Sequence, residues 1–315
     1  MIRYLIHRTP SILLVIFVSS IVAFLLPRLA PGDPALAIAG PDATPEVIQA
    51  VRAEAGLDQP LVQQYLSWVG GIFRGDLGTS YIYNRPISEL ILSRAESTLE
   101  LAGLAALFMI VIALMLGLIG GSVRSRAGRT ILDVISTGMI AMPAFLVGLI
   151  FIVVFGVALN LLPVSGQLNL SEDFFGGLSY LLLPALAIAL SHAAVIARLL
   201  QTSMLTIRGE EFVDLATAKG VSPNRITFRH VLPASLDTAI VAIGLRIGEL
   251  LGGAIIIEAI FSRSGLGQLM IGAINSRDYF VVQALVIGAV IVAILSQLIA
   301  EIVVASVDPR IRLEG

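Results

Sequence analysis

The sequence predicts an all-α integral membrane protein with six transmembrane helices. Of its 315 residues, 57% are hydrophobic and only 13% are charged, whereas a soluble domain carries about 25% charged residues. The apolar residues are grouped into long uncharged runs, which is the arrangement that a bilayer requires. Basic residues are concentrated in alternate short connections, and this asymmetry sets the orientation of the helices in the membrane.

Six intervals come close to or exceed the roughly 20 residues that a helix needs to cross the hydrocarbon layer. They lie at about 9–29, 98–122, 132–157, 178–200, 238–260 and 280–304. Arg246 and Glu249 interrupt the fifth interval, but the runs on either side are apolar enough for a span. The first interval could be a signal peptide. Its length and the spans that follow favour an uncleaved helix.

The basic residues place both termini in the cytoplasm. Arg124, Arg126 and Arg129 follow the second span, and four more basic residues lie between the fourth and fifth spans. The loop after the third span has Glu172 and Asp173 but no basic residue. The chain therefore divides into a first span (1–29), an extracytoplasmic cap (30–97), a five-helix core (98–305) and a cytoplasmic tail (306–315).

Short helices and prolines are expected to shape the regions between and within the spans. In the cap, residues 45–55 and 61–73 read as short helices, and the run from Gly75 to Gly78 ends the second. Pro143 and Pro184 are expected to kink the third and fourth spans. Near the outer end of span five, Glu258 is expected to be hydrated. Residues 265–274 form either a short helix or a plain loop.

The connection between spans four and five, residues 201–237, is longer than a minimal connection needs. Helical spacing of i, i+3, i+4 and i+7 predicts a short amphipathic helix over 210–219, with the spaced residues being Phe212, Leu215, Ala216 and Lys219. Gly220 is placed to end this helix as a C-cap glycine. A second helical stretch is expected to begin at Ser222-Pro223 and to end at Leu232-Pro233.

A short helix outside the bilayer has two possible roles. Its small residues Ala216, Ala218 and Gly220 suit docking into a groove of another protein. An amphipathic helix that rests on lipid headgroups has the same pattern. The spacing alone leaves both roles open.

The same connection resembles a loop of the membrane subunits of binding-protein-dependent ABC importers. Asp214-Leu215-Ala216-Thr217-Ala218-Lys219-Gly220, then nine residues, then His230-Val231-Leu232-Pro233 is similar to their Glu-Ala-Ala…Gly…Ile-x-Leu-Pro motif. Asp214, Leu215 and His230 depart from that motif, and the dipeptide/oligopeptide branch of the family has similar departures. Further stretches resemble this branch over nearly the whole chain: Leu29-Ala30-Pro31-Gly32-Asp33-Pro34, Gly56-Leu57-Asp58-Gln59-Pro60-Leu61, Gly75-Asp76-Leu77-Gly78, Gly265-Leu266-Gly267 and Arg277-Asp278-Tyr279.

The resemblance implies a permease of the type I ABC importer fold, in a bacterial plasma membrane. Its partners would be a homologous second permease, two ATPase subunits or domains and an extracytoplasmic solute-binding protein, with no nucleic acid. The implied cargo is dipeptides or oligopeptides, with nickel chelates, glutathione and haem as other cargoes of the family. The implied ATPase-coupling residues are Glu211, Asp214, Ala216, Lys219, Gly220, Leu232 and Pro233.

The sequence has no motif for handling nucleotide. It has no Gly-x-x-x-x-Gly-Lys-Ser/Thr loop, and Gly220 and Val221 follow its single lysine, Lys219. ATP and Mg²⁺ are therefore expected on partner subunits, with no cofactor in this chain and no catalytic residue. The sequence has no cysteine, which excludes disulfides and thiolate metal sites, and the three histidines are too scattered to suggest a metal site.

Ionisable residues within a membrane span are functional candidates by default. Arg246 and Glu249 stand at i and i+3 of span five and can pair, and His192 lies in span four. One hypothesis is that these three residues line or gate a translocation pathway. The alternatives are a salt bridge that holds span five to a neighbouring helix and, for His192, an ordinary packed histidine.

A stripe of small residues accompanies these charges on span five. Gly244, Gly248 and Gly252 recur every four residues, a spacing that lets another helix approach closely. At 100° per residue, Arg246 lies about 160° and Glu249 about 100° from the centre of the stripe. The glycine face is therefore expected to pack on a helix while the charged face looks into a cavity or at a partner chain.

Two other classes of protein are less compatible with the sequence. A self-sufficient ion-coupled transporter should show repeated halves with broken helices, and no internal repeat is evident. An intramembrane hydrolase needs a nucleophile with a base, or paired carboxylates, at one depth. Ser191 and His192 are sequence neighbours and so point to different faces of a helix.

Overall fold

The structure is a computed structural model that describes residues 2–29, 33–40, 42–123 and 125–307. Residues 30–32 of the segment after the first span, Arg124, and residues 308–315 of the expected tail lie outside these ranges. Within the described ranges the chain is helical apart from turns, loops and one short hairpin. An all-α architecture is therefore confirmed.

Thirteen α-helices are formed by the described residues. In chain order they are α1 (Ile2–Leu29), α2 (Pro34–Ala39), α3 (Pro45–Glu54), α4 (Leu61–Phe73), α5 (Ile87–Ser122), α6 (Arg126–Ala141), α7 (Ala144–Phe151), α8 (Phe174–Arg208), α9 (Glu211–Ala218), α10 (Pro223–Ile226), α11 (Leu232–Ile260), α12 (Leu266–Asn275) and α13 (Tyr279–Val307). Two π-helical segments, Ile152–Ala158 and Thr227–Val231, follow α7 and α10. Strands β1 (Thr79–Ser80) and β2 (Arg85–Pro86) pair antiparallel, with Thr79 opposite Pro86.

Five of the described helical stretches are long and apolar enough to cross a membrane. They are Arg8–Leu29 of α1, α5, α8, the continuous stretch Pro223–Ile260, and Tyr279–Ile299 of α13. The pair α6 and α7 becomes a sixth candidate only when the two helices are counted together, because they meet at a bend of 100°. The structure thus supports five or six spans.

Pro143 explains why the predicted third span, 132–157, is not one helix. The residue before a proline is driven out of the helical conformation by a clash with the proline ring, and Met142 has φ −85° and ψ 121°. Pro143 is then the N-cap residue of α7. The expectation of a mere kink was therefore wrong, because Pro143 separates two helices. Pro184, by contrast, lies inside α8, which continues through it.

Several helices extend beyond the apolar intervals that predicted them. The second predicted span began at residue 98, whereas α5 begins at Ile87, and the fourth ended at residue 200, whereas α8 ends at Arg208. Hydropathy detects only the part of a helix that lies in hydrocarbon. A helix satisfies its own backbone hydrogen bonds and can continue into polar sequence. The first turns of α5 therefore occupy residues that the sequence assigned to the cap.

Pro233 does not end the second helical stretch as expected. Helix continues from Pro223 to Ile260, and Pro233 lies in the first turn of α11. A proline in a helix removes one N–H donor and clashes with the carbonyl four residues earlier. Immediately before it, the N–H of Leu232 bonds to the carbonyl of Thr227 in the wider π register. This local widening accommodates the proline without a break.

The chain forms two compact units, each with its own core. The α8 unit consists of Leu99–Arg263 with short terminal pieces of the chain. Helix α8 is central in it and packs against α6, α7 and α11. Its apolar core includes Leu101, Met109, Ile188 and Leu250, all fully buried. The unit therefore gathers the second to fifth predicted spans, with α8 at the centre.

The α1 unit consists of Leu5–Thr98 and Ser264–Val292. Helix α4 packs on α1 through an edge-to-face contact of Phe24 with Tyr65, 5.4 Å between ring centroids, and through a hydrogen bond of 2.7 Å between the hydroxyls of Ser20 and Tyr65. The predicted cap helices are present as α3 and α4. Residues 266–275 form the helix α12, which resolves the alternatives left open for that region.

Candidate functional site

The segment that joins α8 to α11 contains α9, a helix of eight residues. Only Gly209 and Glu210 separate it from α8. Glu211 and Asp214 lie in its first turn, where carboxylates interact favourably with the positive end of the helix dipole. This short helix is therefore tied closely to the end of a long one.

Gly220 ends α9 in the manner that the sequence predicted. Its φ is +75°, a left-handed conformation that glycine adopts without steric cost. The Gly220 N–H bonds to the Thr217 carbonyl at 2.9 Å, and the Val221 N–H bonds to the Ala216 carbonyl at 3.1 Å. These two bonds form a Schellman motif. The chain therefore leaves α9 at a fixed angle.

The buried face of α9 differs from the one that the spacing predicted. Val213 is 6% exposed, and Ala216 packs against the core of the α8 unit. Phe212 and Leu215, which were expected on the apolar face with Ala216, are 45% and 57% exposed. The period was right but the face was wrong, because Val213 and Ala216 at i and i+3 are the pair that reaches the core.

The other predicted coupling residues lie around this helix. Lys219 is exposed at the end of α9. Leu232, at the start of α11, packs against the core, whereas Pro233 beside it is exposed. Helix α9 therefore offers two large exposed apolar side chains, Phe212 and Leu215, with charged residues around them. Its return into α11 is anchored by buried contacts.

The structure brings together the three predicted pathway residues. Arg246 Nη1 and Glu249 Oε2 are 2.5 Å apart on α11, and His192 Nδ1 of α8 lies 3.6 Å from the same carboxylate oxygen. The side chains of Arg246 and Glu249 are 34% and 50% exposed. They therefore form a polar cluster on the surface of the α8 unit. A pair that is partly exposed in this way is accessible to a partner chain or a solute.

The three glycines of α11 have different surroundings. A Cβ at Gly248 would lie 3.3 Å from the Cβ of Ser296 on α13, so this position allows a close approach between two helices. A Cβ at Gly252 would meet no atom within 4 Å, and Gly244 is partly buried. The packing role predicted for Gly244 and Gly252 stays a prediction.

A second group of charges, which the hydropathy pattern does not single out, is buried in the α8 unit. Arg263 and Glu258 are both 0% exposed, and Arg263 Nη2 lies 3.7 Å from Glu100 Oε2. Glu100 Oε1 also accepts the N–H of Leu170 at 2.9 Å. Burial lowers the pKa of Arg263, while Glu100 and Glu258 act in the opposite direction. The expectation that Glu258 is hydrated was wrong, because its side chain is enclosed beside a buried guanidinium.

Known proteins match both parts of the chain. Residues 109–313 match the family described as "Binding-protein-dependent transport system inner membrane component", and residues 1–102 match the N-terminal membrane component of such systems. The chain belongs to this family of ABC importer permeases.

Relatives of this permease support the assignment over its full length. The glutathione transport system permease protein GsiC of Escherichia coli is 34% identical over 312 residues, which is 99% of each chain. GsiC of Shigella flexneri is 33% identical over the same length and share. A structure of the MetNI methionine ABC transporter in inward-facing conformations is similar with a TM-score of 0.56 and 20% identity, covering 70% of this chain and 96% of that one. The latter shows the fold alone.

Membership defines the role of the permease in general terms. It is a multi-pass inner-membrane subunit of a peptide-type ABC importer, and it is non-catalytic. An importer of this kind works with ATPase subunits and a substrate-binding protein. In the part of the chain that the structure describes, no group of three or more His, Cys, Asp or Glu side chains could hold a metal ion.

Proposed function

We propose that this permease forms half of the translocation pathway of a small-peptide ABC importer, and that α9 is the coupling helix on which a separate ATPase acts. The observation that carries the proposal is the exposure of Phe212 and Leu215 on a short helix whose C-terminal end is fixed by Gly220. Burying a Phe or Leu side chain in a partner's groove contributes about 1.5–3 kcal/mol. These two side chains therefore supply a driving force for docking.

The charges around the pair suit a specific interface. Glu211 and Asp214 lie on the first turn and Lys219 follows the last, all exposed. Charged residues at the rim of an apolar contact set its register more than its strength. Gly220 fixes the exit angle of the chain, and Leu232 with Pro233 returns it to the core. With this geometry, α9 can transmit a displacement to the spans, because little flexible backbone lies between them to absorb the movement.

We place the permease in the membrane as six spans with cytoplasmic termini, with α6 and α7 acting together as the third span. The basic residues after α5 and along the α9 segment support this orientation. It puts α9 on the side where ATP is available. It also puts α2, α3 and α4 on the outer face, where this cap would receive the solute-binding protein.

The cluster of His192, Arg246 and Glu249 is assigned to the pathway. Its partly exposed charges would be costly if they faced lipid. Against a second, homologous permease they would line a polar passage between the two subunits. An ammonium and a carboxylate, the two ends of a peptide, match the charges of Glu249 and Arg246.

The cargo that we propose is a small peptide. Dipeptides and oligopeptides fit the motifs of the chain, and the glutathione named for the relatives is itself a small peptide. Nickel chelates and haem are the less favoured cargoes. Selection among peptides would belong mostly to the binding protein.

The coupling role can be tested by charge substitution on α9. Phe212→Asp and Leu215→Asp place a carboxylate on the proposed contact without disturbing the core. Thr217→Asp is the matched control, since Thr217 is exposed and lies about 200° round the helix from Leu215. We expect the first two variants to lose co-purification with the partner ATPase and the control to keep it. Full co-purification in all three would assign α9 to the lipid surface instead.

A further inference from the structure

Arg208 occupies the junction between α8 and α9. It is the last residue of α8, and Gly209 and Glu210 are the only residues between it and α9. A displacement of α9 is therefore passed to this residue across a link of only two residues. Arg208 therefore lies where its side chain can have a role beyond ending α8.

The Arg208 side chain joins α8 to two other segments. Its Nε donates to the carbonyl of Gly121, in the last turn of α5, at 2.8 Å. Its Nη2 donates to Oγ1 of Thr227, the first residue of the π-helical segment before α11, at 2.7 Å. A cation at a helix C-terminus also interacts favourably with the dipole. One guanidinium thus binds the end of α5 and the start of the helix that leads into α11.

The Thr227 hydroxyl is oriented to accept this bond. Its Oγ1 donates to the carbonyl of Pro223 at 3.0 Å, which uses its one hydrogen and leaves its lone pairs for Arg208. Thr227 is 7% exposed. Since hydrogen bonds to charged groups contribute about twice as much as neutral ones, the Arg208–Thr227 contact is the stronger of the two bonds that this hydroxyl makes.

Helices α5 and α8 are closely packed next to this contact. A Cβ at Gly121 would lie 2.7 Å from the Cβ of Met204, and a Cβ at Gly117 would lie 2.9 Å from the Cβ of Leu200. Both pairs advance by four residues, so α5 and α8 run parallel and in close contact here. The ends of the two helices are therefore held by packing as well as by Arg208.

We propose that Arg208 is a positioning residue that transmits movement of α9 to α5 and, through Thr227, to α11. The proposal rests on the assignment of α9 as the coupling helix. A movement of α9 is transmitted through Gly209 and Glu210 to the Arg208 guanidinium, which is hydrogen-bonded to Gly121 of α5 and to Thr227. Without these hydrogen bonds, α8 and the π-helical segment can shift against each other. ATP hydrolysis is then uncoupled from transport.

The test uses the complete importer, with its ATPase and binding protein, in proteoliposomes. Arg208→Gln shortens the side chain and removes its charge, and Thr227→Val removes the acceptor while keeping every charge. Thr206→Val is the matched control, because the Thr206 hydroxyl also bonds to a carbonyl four residues earlier, that of Thr202 at 3.1 Å, and lies on the same helix as Arg208. The readouts are ATPase co-purification, basal ATPase rate and solute transported per ATP.

We expect Arg208→Gln and Thr227→Val each to keep ATPase co-purification and the basal rate while transport per ATP falls about tenfold. The double variant should fall no further than the more affected single variant, since Arg208→Gln already removes the contact that Thr227→Val removes. Wild-type transport per ATP in Thr227→Val, or additive losses in the double variant, would overturn the proposal. So would an equal loss in Thr206→Val. If Leu215→Asp leaves ATPase binding intact, the coupling assignment itself fails, and that result is separate from these.

Discussion

Ionisable residues of the α8 unit occupy two distinct environments. Arg263, Glu258 and Glu100 are buried or nearly so, where removing one partner leaves an uncompensated charge in a medium of low dielectric constant. Arg246 and Glu249 are partly exposed and in contact, so their mutual attraction is screened and adds little stability. The first group is expected to affect folding and the second to affect transport.

Arg263→Met tests the structural group. The variant leaves the carboxylates of Glu100 and Glu258 without the buried cation that both face, and we expect the free energy of unfolding to fall by about 3–5 kcal/mol. Arg85→Met is the control, because Arg85 and Glu89 form an exposed pair 3.8 Å apart that contributes about 1 kcal/mol or less. Thermal unfolding in detergent measures both. Equal changes in melting temperature would contradict the account of the buried group.

The double variant Arg246→Met, Glu249→Gln tests the pathway group. It keeps side-chain volume and removes both charges, so the protein should fold and bind its ATPase while uptake falls about tenfold or more. Glu301→Gln is the control, since it removes a carboxylate that accepts a hydrogen bond from Gln297 at 3.0 Å on α13. Uptake of a labelled dipeptide in proteoliposomes is the measurement. If the double variant transports normally, the pair is structural.

At the scale of single elements, two glycines are needed for different reasons, one for the turn after α9 and one for the contact between α5 and α8. Gly220 supplies a left-handed backbone in open space, where a Cβ would meet no atom within 4 Å. Gly121 supplies room between two helices, where a Cβ would meet Met204. Substitution is therefore limited by backbone strain at the first position and by packing at the second.

Gly220→Val is predicted to disturb the coupling segment alone. A β-branched residue at φ +75° costs about 1–3 kcal/mol of backbone strain, so the turn after α9 should rearrange and transport per ATP should fall. Gly220→Asn should recover much of the loss, because Asn tolerates this conformation. Wild-type transport in the Val variant would show that the exit angle of α9 is immaterial.

Gly121→Ala is predicted to destabilise the contact between α5 and α8 by about 1–3 kcal/mol, the usual cost of overpacking. Gly103→Ala on the same helix is the control, since its Cβ would meet nothing within 4 Å. Unfolding in a denaturing detergent compares the two. A control that is as destabilised as Gly121→Ala would mean that helix packing is not the cause.

Prolines mark the limit of what sequence patterns predict for an element. The apolar interval 132–157 gave no sign that Pro143 would separate two helices at an angle of 100°, because the outcome depends on what each half packs against. Pro233 has the opposite outcome, since a π-helical turn before it keeps the helix continuous. Hydrophobic periodicity reports which residues avoid water and not how a backbone adapts to a missing N–H.

At the scale of the whole molecule, the sequence predicted the helical class, the apolar intervals and the segment that holds α9. Long uncharged runs and a glycine after a short amphipathic stretch are local features of the sequence. The structures that such features predict do not depend on which distant residues come into contact. Contacts between residues that are distant in sequence determine the features that were not predicted. These are the buried face of α9, the burial of Glu258 and the hydrogen bonds of Arg208. The spacing of Gly117 and Gly121 was the available sign of the close contact between α5 and α8.

The central claim is that this chain moves solute only when a separate ATPase drives it through α9. The most direct measurement is uptake of a labelled dipeptide into proteoliposomes that contain the permeases with and without the ATPase, with binding protein and ATP present and an ion gradient imposed in each case. We expect uptake only with ATPase and ATP together, and its loss in Leu215→Asp. Uptake driven by the ion gradient in vesicles that lack the ATPase would contradict the account.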